Sequence, residues 1–253
     1  MMRPLLSIVT VTAFDHLRLQ RTLSSTQFEI ANIEHVFIAP TNDLKTIEII
    51  NEYSVSSKFA VKIYFDNNEG IYQAMNLGAV KSNGEYLFFL NSGDEILDVA
   101  VFQSNLILLS NHSPSWAILG VKLPWCDAYL AHSNMHKNFR RQFKHGYVSH
   151  QSVIVRNSVF VNLGMFDTKF PIAADTKSIF QYAQLATPLL LPGISVKVEA
   201  GFNVTSHNRE SRLEVFKIIN SVGKPIDIFI SNINFLLREV NFLMRKIVNL
   251  RRR

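Results

Sequence analysis

Seven apolar or amphipathic stretches alternate in kind over the first ninety residues, and this alternation restricts the fold more than any other feature of the chain. "LLSIVTVT" (5–12), "IEHVFIA" (33–39), "FAVKIYF" (59–65) and "EYLFFL" (85–90) are short apolar runs rich in β-branched and aromatic residues. Between them, His16 to Ser25, "LKTIEIINEY" (44–53) and "IYQAMNLGAVK" (71–81) carry their apolar residues at helical spacing. Strand and helix in strict succession require crossover connections, hence a parallel sheet with helices on both faces: a Rossmann-like α/β core.

Beyond that core the pattern loosens. "WAILGV" (116–121) reads as a strand, and "AHSNMHKNFRRQFKHGYVSH" (131–150) is polar, basic and rich in histidine, the composition of an irregular region facing a substrate. Regularity returns with "QSVIVR" as a strand, "SVFVNLGMF" as a short helix closing on Gly164, "DTKSIFQYAQL" as a helix and "ISVKVEA" as a strand. At the end, Phe229, Ile233, Leu236, Val240, Leu243, Ile247 and Leu250 repeat at alternating spacings of four and three. They predict an amphipathic helix that docks on its own core, joins a coiled-coil seam or lies in a membrane interface. The expected division is a catalytic domain over 1–206 and a helical, basic extension over 207–253.

Charge sharpens this division. The net charge is +6, and the segment from Arg238 onward holds six basic residues (Arg238, Arg245, Lys246, Arg251, Arg252 and Arg253) against Glu239, so the body is nearly neutral. A neutral body with a basic end suits a local anionic partner such as a membrane surface better than a nucleic-acid groove. Cys126 is the single cysteine, which excludes an internal disulfide and a zinc site built from thiolates. The opening "MMRPLLSIVTVTAF" lacks a small-residue cleavage site after its apolar core and reads as a first strand, so cytosolic synthesis is expected.

The most informative local feature is "EYLFFLNSGDEI" (85–96). A strand buried on both faces stops at Asn91-Ser92-Gly93 and is followed at once by Asp94 and Glu95. Ligands of open α/β sheets lie outside the carboxyl ends of the strands, where these acids would sit. A plainer reading makes them caps for a helix beginning in "ILDVAVF". Asp175 in "IAAD" poses the same choice, as catalytic acid or as N-cap of the helix that follows. Gly70 allows a tight strand-to-helix turn, with the free N–H groups of the next helix facing an anion or a base edge.

Four blocks, "SIVTVTAF", "NEGIYQAMNLGAVKSNGEYLFFLNSGDE" (68–95), "SHQSVIVR" (149–156) and "LGMFDTKFPIAAD" (163–175), occur in an order and spacing that resemble the family 2 glycosyltransferases. The nearest subgroup is the enterobacterial enzymes of colanic acid and O-antigen assembly, and the resemblance covers about residues 5–206. It implies the GT-A fold of nucleotide-diphospho-sugar transferases, a Rossmann-like mixed sheet with helices on both faces, here followed by the C-terminal amphipathic helix. It further implies an inverting, metal-dependent hexosyl transfer from a nucleotide-sugar donor to a saccharide acceptor, lipid-linked in surface polysaccharide synthesis. Such an enzyme would work at the cytoplasmic face of the inner membrane, held peripherally by the basic helix. By the same resemblance Asp94 is the acid that holds Mn²⁺ or Mg²⁺, and Asp175 is the general base. Thr10, Asn68, Gly70, Asn76, Asn91 and Ser92 border the donor, and His150 and Gln151 face the acceptor or its phosphates.

Two positions depart from the family. The acid expected after the second strand is Ala39, with Asp43 the nearest carboxylate along the loop, and the later acid is Asn68. Tyr72 and Met75 read mostly as packing, and His145, Arg140, Arg141 and Lys144 as a solvated basic loop. Two other readings stay open: a nucleotidyltransferase on a similar sheet, and a scaffold in a polysaccharide-assembly complex that retains the fold without catalysis.

Overall fold

The computed structural model describes residues 3–28, 32–123, 126–129, 148–199 and 209–223. The chain forms two compact units, Met1–Phe202 and Asn203–Arg253. In the first, β1 (Leu6–Val11), α1 (His16–Ser25), β2 (Ile33–Pro40), α2 (Leu44–Ser56), β3 (Ala60–Asp66), α3 (Ile71–Lys81) and β4 (Tyr86–Phe89) follow one another as the periodicity predicts. Then come β5 (Glu95–Ile96), α4 (Val99–His112), β6 (Trp116–Leu123), β7 (Cys126–Tyr129), a 3-10 turn (His150–Ser152), β8 (Val153–Arg156), α5 (Asn157–Asn162), α6 (Ala174–Leu185) and β9 (Leu189–Lys197).

These strands make one sheet in the order β3-β2-β1-β4-β8-β6-β9-β5, with β7 on β6. The first four run parallel; α1, α2 and α3 are the crossovers from β1 to β2, from β2 to β3 and from β3 to β4, the last carrying the chain back past β2 and β1 to pair β4 with β1. The sheet becomes mixed where β8 lies antiparallel between β4 and β6. Phe88 and Phe89 show how adjacent residues of a buried strand serve opposite faces. Phe88 stacks on Phe102 of α4, whereas Phe89 meets Phe160 and Phe166, which hold the segment between α5 and α6 against the sheet. In β2 likewise, Phe37 packs with Leu19, Ile49 and Ile50 of α1 and α2, and its neighbours Val36 and Ile38 pack with Ala74 of α3.

Asp43 and Asp98 cap α2 and α4, accepting from Thr46 N at 3.2 Å and Val101 N at 3.0 Å. This settles the plainer reading of Asp94 and Glu95. Glu95 enters β5, and it is Asp98, three residues beyond, that starts the helix. Asp175 is no N-cap either, since α6 is preceded by Ala173 and Asp175 sits inside its first turn.

The second unit contributes α7 (Arg209–Val222), where Ser211 and Ile218 are buried. No described helix is long and apolar enough to cross a membrane. The repeat from Phe229 to Leu250 and the basic stretch 131–147 lie outside the described residues.

Candidate active site

The turn after β4 is bound from several sides. Leu90 N donates to Val9 O (3.0 Å) and Asp94 N to Asn91 O (3.0 Å), closing the turn beside β1. The Thr22 hydroxyl of α1 accepts from Gly93 N (2.8 Å) and donates to Asp94 O (2.8 Å). Gly93 has φ +101°, and a Cβ there would lie 1.9 Å from Glu199 Oε2 and 2.7 Å from Arg18 Nε, so both conformation and space demand glycine. Glu199, just beyond β9, is the hub of this contact. Its carboxylate accepts from Arg18 Nε (2.6 Å) and from Arg21 Nη2, while its N–H donates to Asp94 Oδ1 (3.1 Å).

Asp94 is 4% exposed and, among the described residues, has no salt-bridge partner. Burial pushes its carboxyl up to about 6; the Glu199 N–H, His150, Arg18 and the Gln151 amide counter this only in part. Gln151 is oriented for that bond because its Oε1 accepts from the Ser149 hydroxyl. A carboxyl taken out of water with no salt-bridge partner among the described residues resists ionisation, because burial disfavours its charged form.

Across the crevice, β8 and the 3-10 turn carry His150 between Asn91 and Asp175. Asn91 Nδ2 is 3.2 Å from His150 Nε2, and His150 Nδ1 is 3.1 Å from Asp175 Oδ2. The other oxygen of Asp175 accepts from Thr176 N (2.7 Å). Burial would raise the Asp175 carboxyl, but donors from His150, Thr176 N–H and Tyr72 outweigh it and hold the group below the ordinary carboxylate range. Three buried oxygens at the carboxyl ends of β1 and β4, Thr12 Oγ1, Asn91 Oδ1 and Ser92 Oγ, have no hydrogen-bond partner among the described residues. Unmet polar groups of this kind cost stability unless something binds them.

The structure thus brings Asn91, Ser92, Asp94, His150, Gln151 and Asp175 together around the turn after β4, and it gives the other expected residues different surroundings. Thr10 is fully buried; its hydroxyl donates to Leu90 O (2.7 Å) and lies 2.9 Å from His35 Nε2, inside the sheet. Asn76 clamps the Phe166 peptide groups with both ends of its amide, Nδ2 to O (2.8 Å) and N to Oδ1 (3.0 Å), and serves to brace the segment before α6. His150 has both ring nitrogens within hydrogen-bond distance of protein groups, Asn91 Nδ2 and Asp175 Oδ2. Asn68 (φ +57°) and Gly70 (φ +134°) are exposed in the loop between β3 and α3, at the rim of the crevice. Asp43 does not replace the acid missing at Ala39: it caps α2 and holds Phe14 N (2.5 Å) and His16 Nε2 (3.1 Å). Conversely, Tyr72, Thr22, Arg18 and Glu199 enter the site without any local signal in sequence.

The whole arrangement can be compared with known proteins. The mannosyltransferase PcManGT of Pyrobaculum calidifontis, solved with GDP-Man and Mn²⁺, has TM-score 0.64 over 91% of this chain and 69% of its own, at 12% identity. TarS 1–349 of Staphylococcus aureus in complex with UDP has TM-score 0.66 over 87% of this chain and 65% of its own, at 17% identity. The fold is GT-A. Sequence relatives of this GT-A chain carry glycosyltransferase names. A PGL/p-HBAD biosynthesis glycosyltransferase of Mycobacterium bovis is 23% identical over 164 residues, 63% of this chain and 60% of the relative. An uncharacterised glycosyltransferase of Haemophilus influenzae is 35% identical over 94 residues, 37% of each chain. The GT-A chain therefore spans about three-fifths of the length of the mycobacterial relative. No family model matches it.

Proposed function

We propose that this protein is an inverting glycosyltransferase that moves a sugar from a nucleotide-diphosphate donor to a saccharide hydroxyl. The observation that carries the reading is the pairing, around the turn after β4, of a buried carboxyl with no salt-bridge partner among the described residues, Asp94, with an anchored, ionised carboxylate, Asp175. Asp94 fits a Mn²⁺ or Mg²⁺ ion, whose remaining ligands would be phosphate oxygens and water, since no cluster of three acid, histidine or cysteine side chains stands among the described residues. Such an ion, when bound, stabilises negative charge developing on the diphosphate.

The chain's own residues supply the rest. Asn91 Oδ1 and Ser92 Oγ offer buried, unpaired contacts to the donor. Asp175 accepts the proton of the acceptor hydroxyl as that oxygen bonds the anomeric carbon; the bond from the anomeric carbon to phosphate breaks, and its electron pair leaves with the diphosphate. Attack opposite the leaving group inverts the anomeric configuration. A lipid-linked acceptor in surface polysaccharide synthesis, with peripheral attachment at the cytoplasmic membrane face through the basic 229–253 segment, is supported by the charge pattern of that segment. Colanic acid and O-antigen assembly belong to this proposal as one such pathway class.

A non-catalytic scaffold is the competing reading. It is favoured by the fully buried Ala39 and the committed Asp43, which leave the second strand without the family's nucleoside-binding acid. A thermal-shift panel of uridine, guanosine, thymidine and cytidine diphosphates and their sugars, with and without Mn²⁺, separates the two. Ligand at a hundred times its dissociation constant stabilises by about 2.7 kcal/mol. Metal-dependent stabilisation by one nucleotide, lost in Asp94→Asn, supports the transferase; silence across a folded panel refutes it.

A further inference from the structure

We propose that His150 is a positioning residue, locked as the Nδ1–H tautomer between Asn91 and Asp175, and that it aims the Asp175 carboxylate at the acceptor hydroxyl. The inference rests on the transferase reading for its catalytic part and on hydrogen-bond bookkeeping for its structural part.

An ionised carboxylate only accepts, so the 3.1 Å contact from Nδ1 to Asp175 Oδ2 requires the proton to be on Nδ1. A neutral ring then has a lone pair on Nε2, which accepts from Asn91 Nδ2 at 3.2 Å. The same amide orientation turns Asn91 Oδ1 away from the ring, and this is the oxygen that is buried without a partner among the described residues. One set of proton positions thus accounts for the ring, the amide and the unpaired oxygen together. Rotating the amide would place two acceptors face to face or demand an imidazolium.

The consequence for Asp175 follows from what surrounds it. Tyr72 of α3 reaches it from one side, with its hydroxyl also 3.1 Å from Ile172 O; Thr176 N–H holds Oδ1 from within α6; His150 holds Oδ2 from the 3-10 turn. Asp94 is near enough to His150 to interact with it electrostatically, and Lys177, two residues along α6, is paired with Asp167. Of the three donors, only His150 is tied in turn to the residue that opens the β4 turn. It therefore fixes the base relative to the residues that would grip the donor, and general-base catalysis depends on that geometry. The sequence of events at Asp175 is unchanged: the acceptor proton ends on the carboxylate, and His150 keeps its own proton throughout.

Two measurements test this. The first needs no substrate: long-range ¹H–¹⁵N correlation spectra of protein carrying ¹⁵N-histidine at pH 7, with His150 assigned by its loss in His150→Gln. A neutral ring protonated at Nδ1, perturbed in Asp175→Asn, is expected; protonation at Nε2, or rapid averaging between tautomers, overturns the proposal. The second follows hydrolysis of UDP-N-acetylglucosamine and GDP-mannose with Mn²⁺, water serving as acceptor. His150→Ala should lower kcat at least about tenfold with KM little changed, and the acid limb of kcat/KM should move to higher pH, because a donor that lowers the Asp175 pKa is lost. His150→Asn, whose amide still donates, should recover part of the loss at an unaltered melting temperature. A loss confined to KM overturns the positioning role. An Nδ1–H ring in a protein that turns over neither donor overturns the transferase reading and the catalytic half of this inference with it.

Discussion

Asp94→Asn should make the metal-free protein more stable. Asp94 is 4% exposed, and its carboxyl is pushed from an ordinary 3.8 up to about 6 by burial. A raised carboxyl pKa means that, between those two values, the folded state binds the proton that the unfolded state has released. Stability of the wild type therefore falls as pH rises through this window and stays depressed above it. At about 1.36 kcal/mol per pH unit the full penalty is about 3 kcal/mol. Asparagine keeps an oxygen to accept from Glu199 N–H and carries no charge to desolvate, but its new N–H donors cost about 1 kcal/mol if one finds no acceptor. The net expectation is a gain of about 2 kcal/mol at pH 7.5 in EDTA, or roughly 4–8 °C in Tm for a chain of this size. Thermal and urea melts of both proteins at pH 4, 5, 6 and 7.5 decide the matter. The gap should close towards pH 4, and Mn²⁺ should narrow it at pH 7.5 by stabilising only the wild type. A variant no more stable than wild type at pH 7.5, or a gap that does not vary with pH, would refute the electrostatic reasoning.

Three further outcomes are expected. Asp175→Asn should cut turnover by about 10²- to 10⁴-fold in a donor-hydrolysis or transfer assay while nucleotide-induced stabilisation in the thermal-shift panel persists. Gly93→Ala forces a side chain onto Glu199 Oε2 at φ +101° and should cost about 1–3 kcal/mol in urea melts; it should also abolish metal-dependent nucleotide stabilisation, because the shift displaces Asp94. Glu34 is 1% exposed near the amino end of β2, where it accepts from Ser7 Oγ (2.6 Å), Lys62 Nζ (2.6 Å) and Gly84 N (3.1 Å). Glu34→Ala should therefore destabilise by about 3–5 kcal/mol. Burial opposes the ionised form of Glu34, but its partners outweigh burial and lower its pKa, so its contribution is present above about pH 4.5 and is lost as pH falls through the folded value.

Much of the architecture was legible because it is local. Apolar runs of strand length alternating with helical periodicity prescribe β1 to β4 and the three crossovers, and an apolar strand broken by Asn91-Ser92-Gly93 prescribes a turn at the crevice. Neighbouring residues also mark the acids of the site and the His150-Gln151 pair. Periodicity is a property of ten or so consecutive residues, and chain chirality turns it into a right-handed, parallel arrangement.

What tertiary structure decided is which groups meet. Asp175 stands 25 residues from His150, Asn76 stands 90 from Phe166, and Asp94 stands 105 from Glu199. Those partnerships arise because β8 inserts antiparallel beside β4 and β9 pairs with β5, choices governed by competition among strands for edges and not by any short window. The same assembly buried Thr10 in the sheet, spent Asp43 on a helix cap and set His150 beside the Asp175 carboxylate. Residue type told which chemistry each side chain could perform; only packing determined which hydrogen bonds were already taken, and so which atoms remained free to act.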